Sequence, residues 1–268
     1  MPCRQLEINC GGKGLNQSIA LSKAGGDAYI AGAVSTSGEF LVAHCKANGV
    51  NVEHVVTSSV ETGHAIIQVN EKGENCILLF GGANRQLQVS DIDKTFSHFG
   101  RGDVLILQNE INHLPYIMER AWEKGMRTVF NPSPFDESVR QYPLDKIDVL
   151  ILNEIEGGQF TGKAIPQEML NSLAVMYPYA LIVLTLGADG ILLKNKNRQF
   201  EQKAFKVHAT DTTGAGDTFT GYFVSLLSMG KPLEECLALA AKASAIAVMA
   251  KGASDSIPVM EDVLKFQI

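Results

Sequence analysis

Short apolar runs alternate with longer amphipathic stretches along the second half of this sequence. The short runs are apolar throughout, which is typical of parallel strands buried on both faces. They lie at 104–108, 128–130, 149–153 and 181–185. Between them, 114–124 and 167–176 have helical spacing, and the Ala-rich stretch 233–251 is apolar around its whole circumference, as in an interior helix. This alternation predicts an α/β fold with a doubly wound, mostly parallel sheet covered by helices on both faces.

The first part of the chain has a looser pattern. A helix, a buried strand and a second helix are predicted at 16–25, 28–34 and 40–48. Two partly alternating runs, 64–70 and 75–80, are joined by a turn containing Gly73 and predict a β-hairpin. This hairpin is either a small β lid over a binding site or an ordinary edge hairpin. Because no repeat or Pro/Gly-rich linker divides the chain, we predict one domain spanning 1–268, with lid elements near 1–10 and 64–80.

The stretch 211–223 carries the most specific chemistry of the sequence. Gly214, Ala215 and Gly216 precede a helical pattern at 219–229, so their backbone N–H groups are expected to be unpaired at a helix N-terminus and to bind an anion. A carboxylate beside that site, Asp217, would repel a phosphate unless it accepts a proton from the attacking group. Phosphoryl transfer to a hydroxyl fits this arrangement. The alternative is that Asp217 merely caps the helix.

The composition argues against nucleic acid and membrane as partners of this protein. The 268 residues are 46% hydrophobic, which excludes disorder, and the net charge of −6 with a pI near 5.5 provides no basic surface for nucleic acid. The five cysteines form no C-x-x-C pair and the six histidines lack metal-ligand spacing, so we expect reduced thiols in a cytoplasmic protein. No apolar run is long enough for a membrane span. A small molecule is the expected partner.

Two motifs resemble the signatures of a known family. The run 211–223 resembles the second signature of the ribokinase (PfkB) family of carbohydrate kinases, and Gly11-Gly12-Lys13-Gly14-Leu15-Asn16-Gln17 resembles the first. The resemblance implies a ribokinase-like fold and an ATP-dependent phosphotransferase with an alcohol acceptor. The first expectation for the acceptor is D-ribose, giving D-ribose 5-phosphate. Another sugar or nucleoside kinase of the family, and a non-catalytic ligand-binding remnant, stay open.

The same resemblance assigns roles to individual residues. It makes Asp217 the general base, in front of an anion hole formed by Gly214, Ala215 and Gly216. The residues implied at the sugar are Gly12, Lys13, Gly14, Asn16, Glu110 and Asp217. The residues implied at ATP are Asn153, Thr185, Gly187, Gly190, Gly216 and Asp217.

Two of these segments have simpler interpretations as well. Asn153-Glu154-Ile155-Glu156 is similar to the family's Asn-x-x-Glu motif, which places Glu156 on Mg²⁺ through water. Taken by itself, the segment favours a helix start with acids near its N-terminus. The segment 185–190 is similar to the family's nucleotide-binding turn, and a plain Gly-containing β-turn is its alternative. Ala241 stands where some members have a polar contact to adenine.

The family resemblance also implies a K⁺ site beside the anion hole. Its ligands would be Asp211, Thr213, Ala247, Ala250, Gly252 and Ser256. Oxygen ligands of this kind suit such a cation, which would offset local negative charge and order the glycine loop. The alternative for Asp211 is a loop cap. The expected cofactors are therefore ATP, Mg²⁺ and K⁺.

The sequence departs from the family pattern at two places. A segment with the first central strand and a sugar-binding Asp normally precedes the Gly-rich turn, so we expect either a truncated start or a member that lost this strand, leaving an open slot in the sheet. After the strand at 28–34, Ser35-Thr36-Ser37-Gly38 replaces the usual Gly and Asp residues. An apolar lid face further predicts a homodimer, as in the enzymes that this sequence resembles.

Overall fold

The computed structural model describes residues 7–69 and 75–267. Most of the predicted lid element at 1–10 and the turn of the predicted hairpin lie outside these residues. The first elements are α1 (Lys13–Lys23), β1 (Tyr29–Val34), α2 (Glu39–Ala47), β2 (Asn51–Thr57), β3 (His64–Val69) and β4 (Asn75–Phe80). The strands β1 and β2 form a parallel pair, and β3 and β4 form the predicted antiparallel hairpin.

The rest of the chain alternates strands and helices until the final helices. The first elements of this part are α3 (Val89–Phe96), β5 (Val104–Gln108), α4 (Leu114–Glu123), β6 (Arg127–Asn131), β7 (Val149–Asn153), α5 (Glu154–Thr161) and α6 (Pro166–Met176). They are followed by β8 (Leu181–Thr185), β9 (Ile191–Lys194), β10 (Gln199–Gln202), α7 (Ala215–Ser228), α8 (Leu233–Ala247) and α9 (Met260–Lys265). No helix of the described residues is long and apolar enough to cross a bilayer.

Six strands form the main sheet, in the order β10-β9-β8-β7-β6-β5. The strands β5 to β8 are parallel, whereas β9 and β10 are antiparallel to their neighbours. Within the described residues β5 is an edge strand, and the β1–β2 pair is a separate sheet; α1 contacts both β1 and β5. The parallel strands end in register, because Gln108 pairs with Asn131 and Asn153 pairs with Thr185. Polar side chains are thereby collected at one edge of the sheet.

Alternate residues of the central strands enter two different cores. On β7, Val149 and Ile151 pack with α1, α7 and α8, whereas Leu150 and Leu152 pack with α3, α4 and α6 on the other face. All four are nearly inaccessible to water, and burial of each such side chain is worth about 2 kcal/mol. The doubly wound α/β architecture predicted from the apolar strands is confirmed.

Some elements differ from the prediction. The strand β2 was not predicted, because Glu53 and His54 interrupt its apolar pattern; His54 is nevertheless buried against Tyr29 and Phe99. The helix α7 begins at Ala215 rather than Phe219, since its first turn is built from small and polar residues. The helix α8 ends at Ala247, four residues earlier than expected, and a loop containing Gly252 follows it.

Candidate active site

A small cavity of about 60 Å³ opens at the carboxyl ends of β6, β7 and β8. It brings together residues from both ends of the sequence. Six of the residues predicted for the site line it: Lys13, Asn153, Glu156, Thr185, Gly216 and Asp217. Asn131 and Thr220 line it as well, although the sequence had not assigned either of them a role at the site. The cavity lies where ligands bind in open α/β sheets.

The carboxylate of Asp217 lies in the first turn of α7 and is 7% exposed. Each of its oxygens accepts a hydrogen bond from α1: the Asn16 amide Nδ2 donates to Oδ2 over 2.9 Å, and the Gln17 amide Nε2 donates to Oδ1 over 2.9 Å. The two amides therefore hold this carboxylate in one orientation. The two helices cross closely at Gly221, where an added Cβ would lie 2.5 Å from the Gln17 carbonyl oxygen.

One polar atom beside Asp217 has no hydrogen-bond partner among residues 7–69 and 75–267. The Asn16 side chain is 4% exposed, and its Oδ1 is buried without a hydrogen bond. Buried amide oxygens are nearly always paired, and leaving one unpaired costs about 1–3 kcal/mol. This acceptor, held next to a carboxylate, is suited to a hydroxyl donor supplied by a ligand.

The N-terminus of α7 differs in one respect from the predicted anion hole. The Ala215 N–H donates to the Thr212 carbonyl over 3.2 Å, so the prediction that all three N–H groups are unpaired is wrong at this residue. The N–H groups of Gly214 and Gly216 donate to no other group in the described part of the chain. Gly214 has φ 76°, which favours glycine, and Gly216 faces open space. An anion can therefore approach this backbone closely.

The predicted sugar-side residues approach the cavity from two directions. Gly12, with φ 105°, precedes α1, and Lys13 opens that helix. Glu110 follows β5 and is close enough to Lys13 and Asp217 to be influenced by both charges. Burial raises the pKa of the Glu110 carboxyl, the Lys13 charge opposes this, and the Asp217 charge adds to it. Gly14 lies close to Gln108: a Cβ added at Gly14 would lie 3.3 Å from the Gln108 Oε1, which is a tight contact.

The loop that carries Glu110 is hydrogen-bonded to the segment that follows the hairpin, through residues that the sequence had not singled out. The Arg85 guanidinium donates to the carbonyls of Ile111 and Asn109, over 2.8 and 3.2 Å. Asn112 exchanges two hydrogen bonds with the backbone of Leu87. These four hydrogen bonds therefore join the segment that follows the hairpin to the loop that carries Glu110.

The segment that starts α5 forms a complete capping box. The Asn153 Oδ1 accepts from the Glu156 N–H over 2.8 Å, and a Glu156 carboxylate oxygen accepts from the Asn153 N–H over 3.0 Å. This is the helix start that was the simpler interpretation of the sequence. Both residues also line the cavity, and Glu156 is only 6% exposed. The cap thus orients a carboxylate whose remaining oxygen is available to a ligand.

The turn after β8 is only partly at the cavity. Thr185 lines it, whereas Gly187 and Gly190 do not. Gly190 has φ 102°, and an added Cβ would lie 2.2 Å from the Gln202 carbonyl oxygen, so close backbone packing explains this glycine. Gly187 has φ 54° and open space around it. Backbone geometry therefore accounts for both glycines at this turn.

The residues predicted for K⁺ form two groups. The Asp211 carboxylate accepts hydrogen bonds from the N–H and hydroxyl of Thr213 and from the N–H of Gly252. The Thr213 hydroxyl is the main reason why the pKa of Asp211 is lowered. Ala247, Ala250 and Ser256 instead form hydrogen bonds within their own loop, from Ala250 N–H to Ala247 and from Ser256 to Ala253. The arrangement at Thr213 is the loop cap that the sequence allowed as an alternative.

Several residues of the site could not be predicted from local patterns. Gln17 and Gln108 contact each other although they are 91 positions apart in the sequence, and no single-sequence signal pairs them. Ala241 is buried in the core between α7 and α8. After β1, Ser35 and Ser37 bond Glu61, an acid at the base of the hairpin that the sequence had not indicated.

Known proteins with similar sequences include members of one family of carbohydrate kinases. Residues 1–260 match the family described as pfkB family carbohydrate kinase. The sequence is 33% identical to the ribokinase of Haemophilus influenzae over 269 aligned residues, which cover 97% of this chain and 88% of that protein. It is 32% identical to the Staphylococcus aureus ribokinase, covering 94% and 86% of the two chains.

Solved structures resemble the whole chain. The structure of Arabidopsis thaliana ribokinase complexed with ribose and ATP matches with a TM-score of 0.89 at 27% identity, covering 100% of this chain and 91% of that one. The ribokinase of Cryptococcus neoformans in complex with ADP matches with a TM-score of 0.84 at 30% identity, covering 98% and 90%. The fold is therefore that of the ribokinase structures.

Proposed function

Because this chain belongs to the pfkB family of carbohydrate kinases, we propose that it transfers the γ-phosphoryl group of ATP to the 5-hydroxyl of D-ribose. The relatives named above as ribokinases and the ribose and ATP of the Arabidopsis complex support this substrate pair. The observation that carries the proposal is the pair formed by Asp217 and the unpartnered Asn16 Oδ1, both buried at the N-terminus of α7. A carboxylate and a free acceptor at an anion-binding helix end suit a hydroxyl that attacks a phosphate.

On the sugar side, we assign the binding of hydroxyl groups to α1 and to the loop after β5. Asn16 Oδ1 accepts one hydroxyl hydrogen bond, which satisfies the buried atom. Glu110 accepts others, while Gly12, Lys13 and Gly14 shape the turn around the sugar. Asp217 then accepts the proton of the attacking hydroxyl as the new O–P bond forms, a contribution of about 10²–10⁴ in rate for a well-placed general base.

On the phosphate side, the N–H groups of Gly214 and Gly216 face the transferring group. Negative charge on its oxygens is stabilised by these donors and by the N-terminal end of α7. Lys13 adds a positive charge at the cavity. Asn153, Thr185 and Gly187 are assigned to the nucleotide, with Gly190 shaping the turn. The developing charge is thus met by groups that are already in position.

The residues present also fit the two cations expected in this family. Glu156 presents a buried carboxylate at the cavity, which suits Mg²⁺ held through water, and bound Mg²⁺ neutralises charge on the phosphates. For K⁺ we assign the Asp211 carboxylate, whose two oxygens accept from Thr213 and Gly252, together with backbone oxygens, since oxygen-only donors suit this cation. Thr213, Ala247, Ala250, Gly252 and Ser256 are the remaining candidates for that site.

Two further assignments accompany the kinase proposal. We place the protein in the cytoplasm, since ATP is its proposed substrate and Cys10, Cys45, Cys76 and Cys236 are unpaired. We also assign a homodimer formed through the hairpin, because both of its faces carry exposed apolar side chains. Ile67 and Leu79 lie on one face, and Ile66 and Leu78 lie on the other.

The test of the function is ADP release with ATP, Mg²⁺ and K⁺ in the presence of D-ribose, other pentoses, hexoses or adenosine. We expect release that depends on ribose, and we expect Asp217→Asn to lower kcat at least about a hundredfold while the affinity for ATP stays nearly unchanged. Phosphorus NMR of the product identifies the phosphorylated hydroxyl.

Each other outcome selects an alternative. Preferential turnover of another sugar or of adenosine would make the protein a different kinase of the same family. A folded protein that binds ATP but releases no ADP with any acceptor would support the ligand-binding alternative. Full activity of Asp217→Asn would remove that residue from the role of general base.

A further inference from the structure

Gln17 is the most completely constrained side chain next to Asp217. It is 1% exposed, and every polar atom of its amide has a described partner. Its Nε2 donates to Asp217 Oδ1 over 2.9 Å and to Asn131 Oδ1 over 3.4 Å. Its Oε1 accepts a 2.6 Å hydrogen bond from the Gln108 Nε2. A buried amide with this set of partners has only one favourable orientation.

We propose that Gln108 acts through Gln17 to position Asp217 for catalysis. By donating to the Gln17 oxygen, Gln108 turns the Gln17 nitrogen toward the carboxylate. The opposite orientation of the Gln17 amide would place its oxygen against the oxygens of Asp217 and Asn131, which is repulsive. The direction of one amide is therefore set by the other. This inference rests on the proposed function, because it concerns the general base of that reaction.

The hydrogen-bonded series from Gln108 through Gln17 to Asp217, called the relay below, is held firmly by its neighbours. Asn131 donates from its Nδ2 to the Ile151 carbonyl over 2.9 Å, so its oxygen is turned toward Gln17. Gln108 is the last residue of β5 and pairs with Asn131 in the sheet. The relay therefore connects the end of the sheet to Asp217 through rigid elements. Asp217 in turn has its second oxygen held by Asn16.

Positioning matters here because the base must face the attacking hydroxyl. A displacement of about 1 Å at a reacting group costs on the order of a hundredfold in rate. With Gln17 on one oxygen and Asn16 on the other, rotation of the carboxylate is opposed from both sides. We therefore classify Gln17 and Gln108 as positioning residues that do not touch the reacting atoms.

The sharpest test reverses the relay with one nearly isosteric change. In Gln108→Glu the side chain accepts instead of donating, so Gln17 must turn its nitrogen away from Asp217. We expect kcat to fall about a hundredfold, and about tenfold in Gln108→Met, where Gln17 only loses its partner. KM for ATP should change little, which separates a misplaced general base from a defect in nucleotide binding.

A double-mutant cycle shows whether Gln17 transmits the effect. In a Gln17→Met background, the changes to Glu and to Met at position 108 should have nearly equal, small effects on kcat. The charges of Lys13, Glu110 and Glu156 at the site are the same in every variant. Gln167→Met is the matched control, because Gln167 on α6 and Gln199 on β10 form an exposed Gln–Gln pair that does not line the cavity. That variant should keep full kcat.

The outcomes distinguish this inference from the proposed function. Ribose-dependent activity in the wild type with unchanged kcat in Gln108→Glu would overturn the relay alone. An undiminished loss in the Gln17→Met background would overturn it too, since the new charge would then act directly. If the wild type has no activity with ribose, the proposed function fails, and the cycle is then measured on thermal unfolding. Additive effects of positions 17 and 108 there would overturn the relay as well.

Discussion

Both oxygens of the Asp217 carboxylate accept a hydrogen bond from an amide of α1, which keeps this side chain in one orientation. Glu110, another acid of the candidate site, has a different environment. Burial raises the pKa of its carboxyl, while the positive charges of Lys13 and Arg85 lower it. The two acids therefore have different neighbours: amide donors hold the Asp217 carboxylate, and the charges of Lys13 and Arg85 favour the ionised Glu110 carboxylate.

The raised pKa of Glu110 predicts a specific pH dependence of stability. Between the ordinary pKa of a glutamate and the raised pKa of folded Glu110, the unfolded chain is ionised while the folded protein still holds the proton. The free energy of unfolding therefore falls as pH rises through this range. Glu110→Gln removes the effect. Its stability relative to wild type should therefore improve from pH 4 to pH 8, as measured by urea unfolding.

The same variant should bind the sugar more weakly, with KM for ribose at least about tenfold higher, because a charged acceptor is lost. Glu201→Gln, on the exposed edge strand β10, is the control for removal of an acid. A stability difference between Glu110→Gln and wild type that is the same at both pH values would contradict the prediction.

At the scale of elements, the geometry at Asp217 depends on how closely α1 and α7 approach. Gly221 makes this approach possible, since an added Cβ would lie 2.4 Å from the Ala20 Cβ and 2.8 Å from the Leu21 nitrogen. Asn16 and Gln17 lie on the same helix as Ala20, and Asp217 lies one turn before Gly221. A shift between the helices therefore moves the amides relative to the carboxylate.

We predict that Gly221→Ala both destabilises the protein and impairs catalysis. Overpacking of this kind costs about 1–3 kcal/mol, which urea unfolding measures. We expect kcat to fall by at least about tenfold, because the amide donors move away from Asp217. Gly100→Ala is the matched control, since an added Cβ there meets nothing within 4 Å. Wild-type stability and kcat in Gly221→Ala would show that the helices can separate without cost.

At the scale of the whole molecule, the β3–β4 hairpin exposes large apolar side chains on both of its faces. Ile66, Ile67, Leu78 and Leu79 are each 48–64% exposed. Cross-strand pairing puts Ile66 opposite Leu78 on one face, and Ile67 shares the other face with Leu79. A hairpin that is apolar on both faces can cover the site with one face and contact a second copy with the other.

This arrangement predicts a separate role for each face. Of the double variants Ile66→Glu/Leu78→Glu and Ile67→Glu/Leu79→Glu, one should dissociate the proposed dimer and the other should raise KM for ribose. Analytical ultracentrifugation and steady-state kinetics measure the two effects. Val175→Glu is the control, because Val175 is 81% exposed on α6 and away from the hairpin. A monomeric wild-type protein would contradict the dimer.

Local sequence patterns were sufficient to determine the family and the alternation of strands and helices in the central sheet, although β2, β9 and β10 were not predicted. The strands β5, β7 and β8 begin and end where their apolar runs do, because a strand buried on both faces admits almost no polar residue. The stretch around Asp217 identified the chemistry, because small residues at a helix start and an adjacent acid form a local motif. Such signals depend only on neighbours in the chain.

Only the tertiary structure determined what surrounds Asp217. Asn16 and Gln17 are 201 and 200 positions away from it in sequence, and Gln108 contacts Gln17 from the end of β5. An amide in a helix pattern has no preferred partner until packing brings one within hydrogen-bond distance. The same holds for the Ala215 N–H, which the fold uses for its own hydrogen bond to Thr212. Long-range packing, rather than local propensity, therefore decided the orientation of Asp217, the proposed general base.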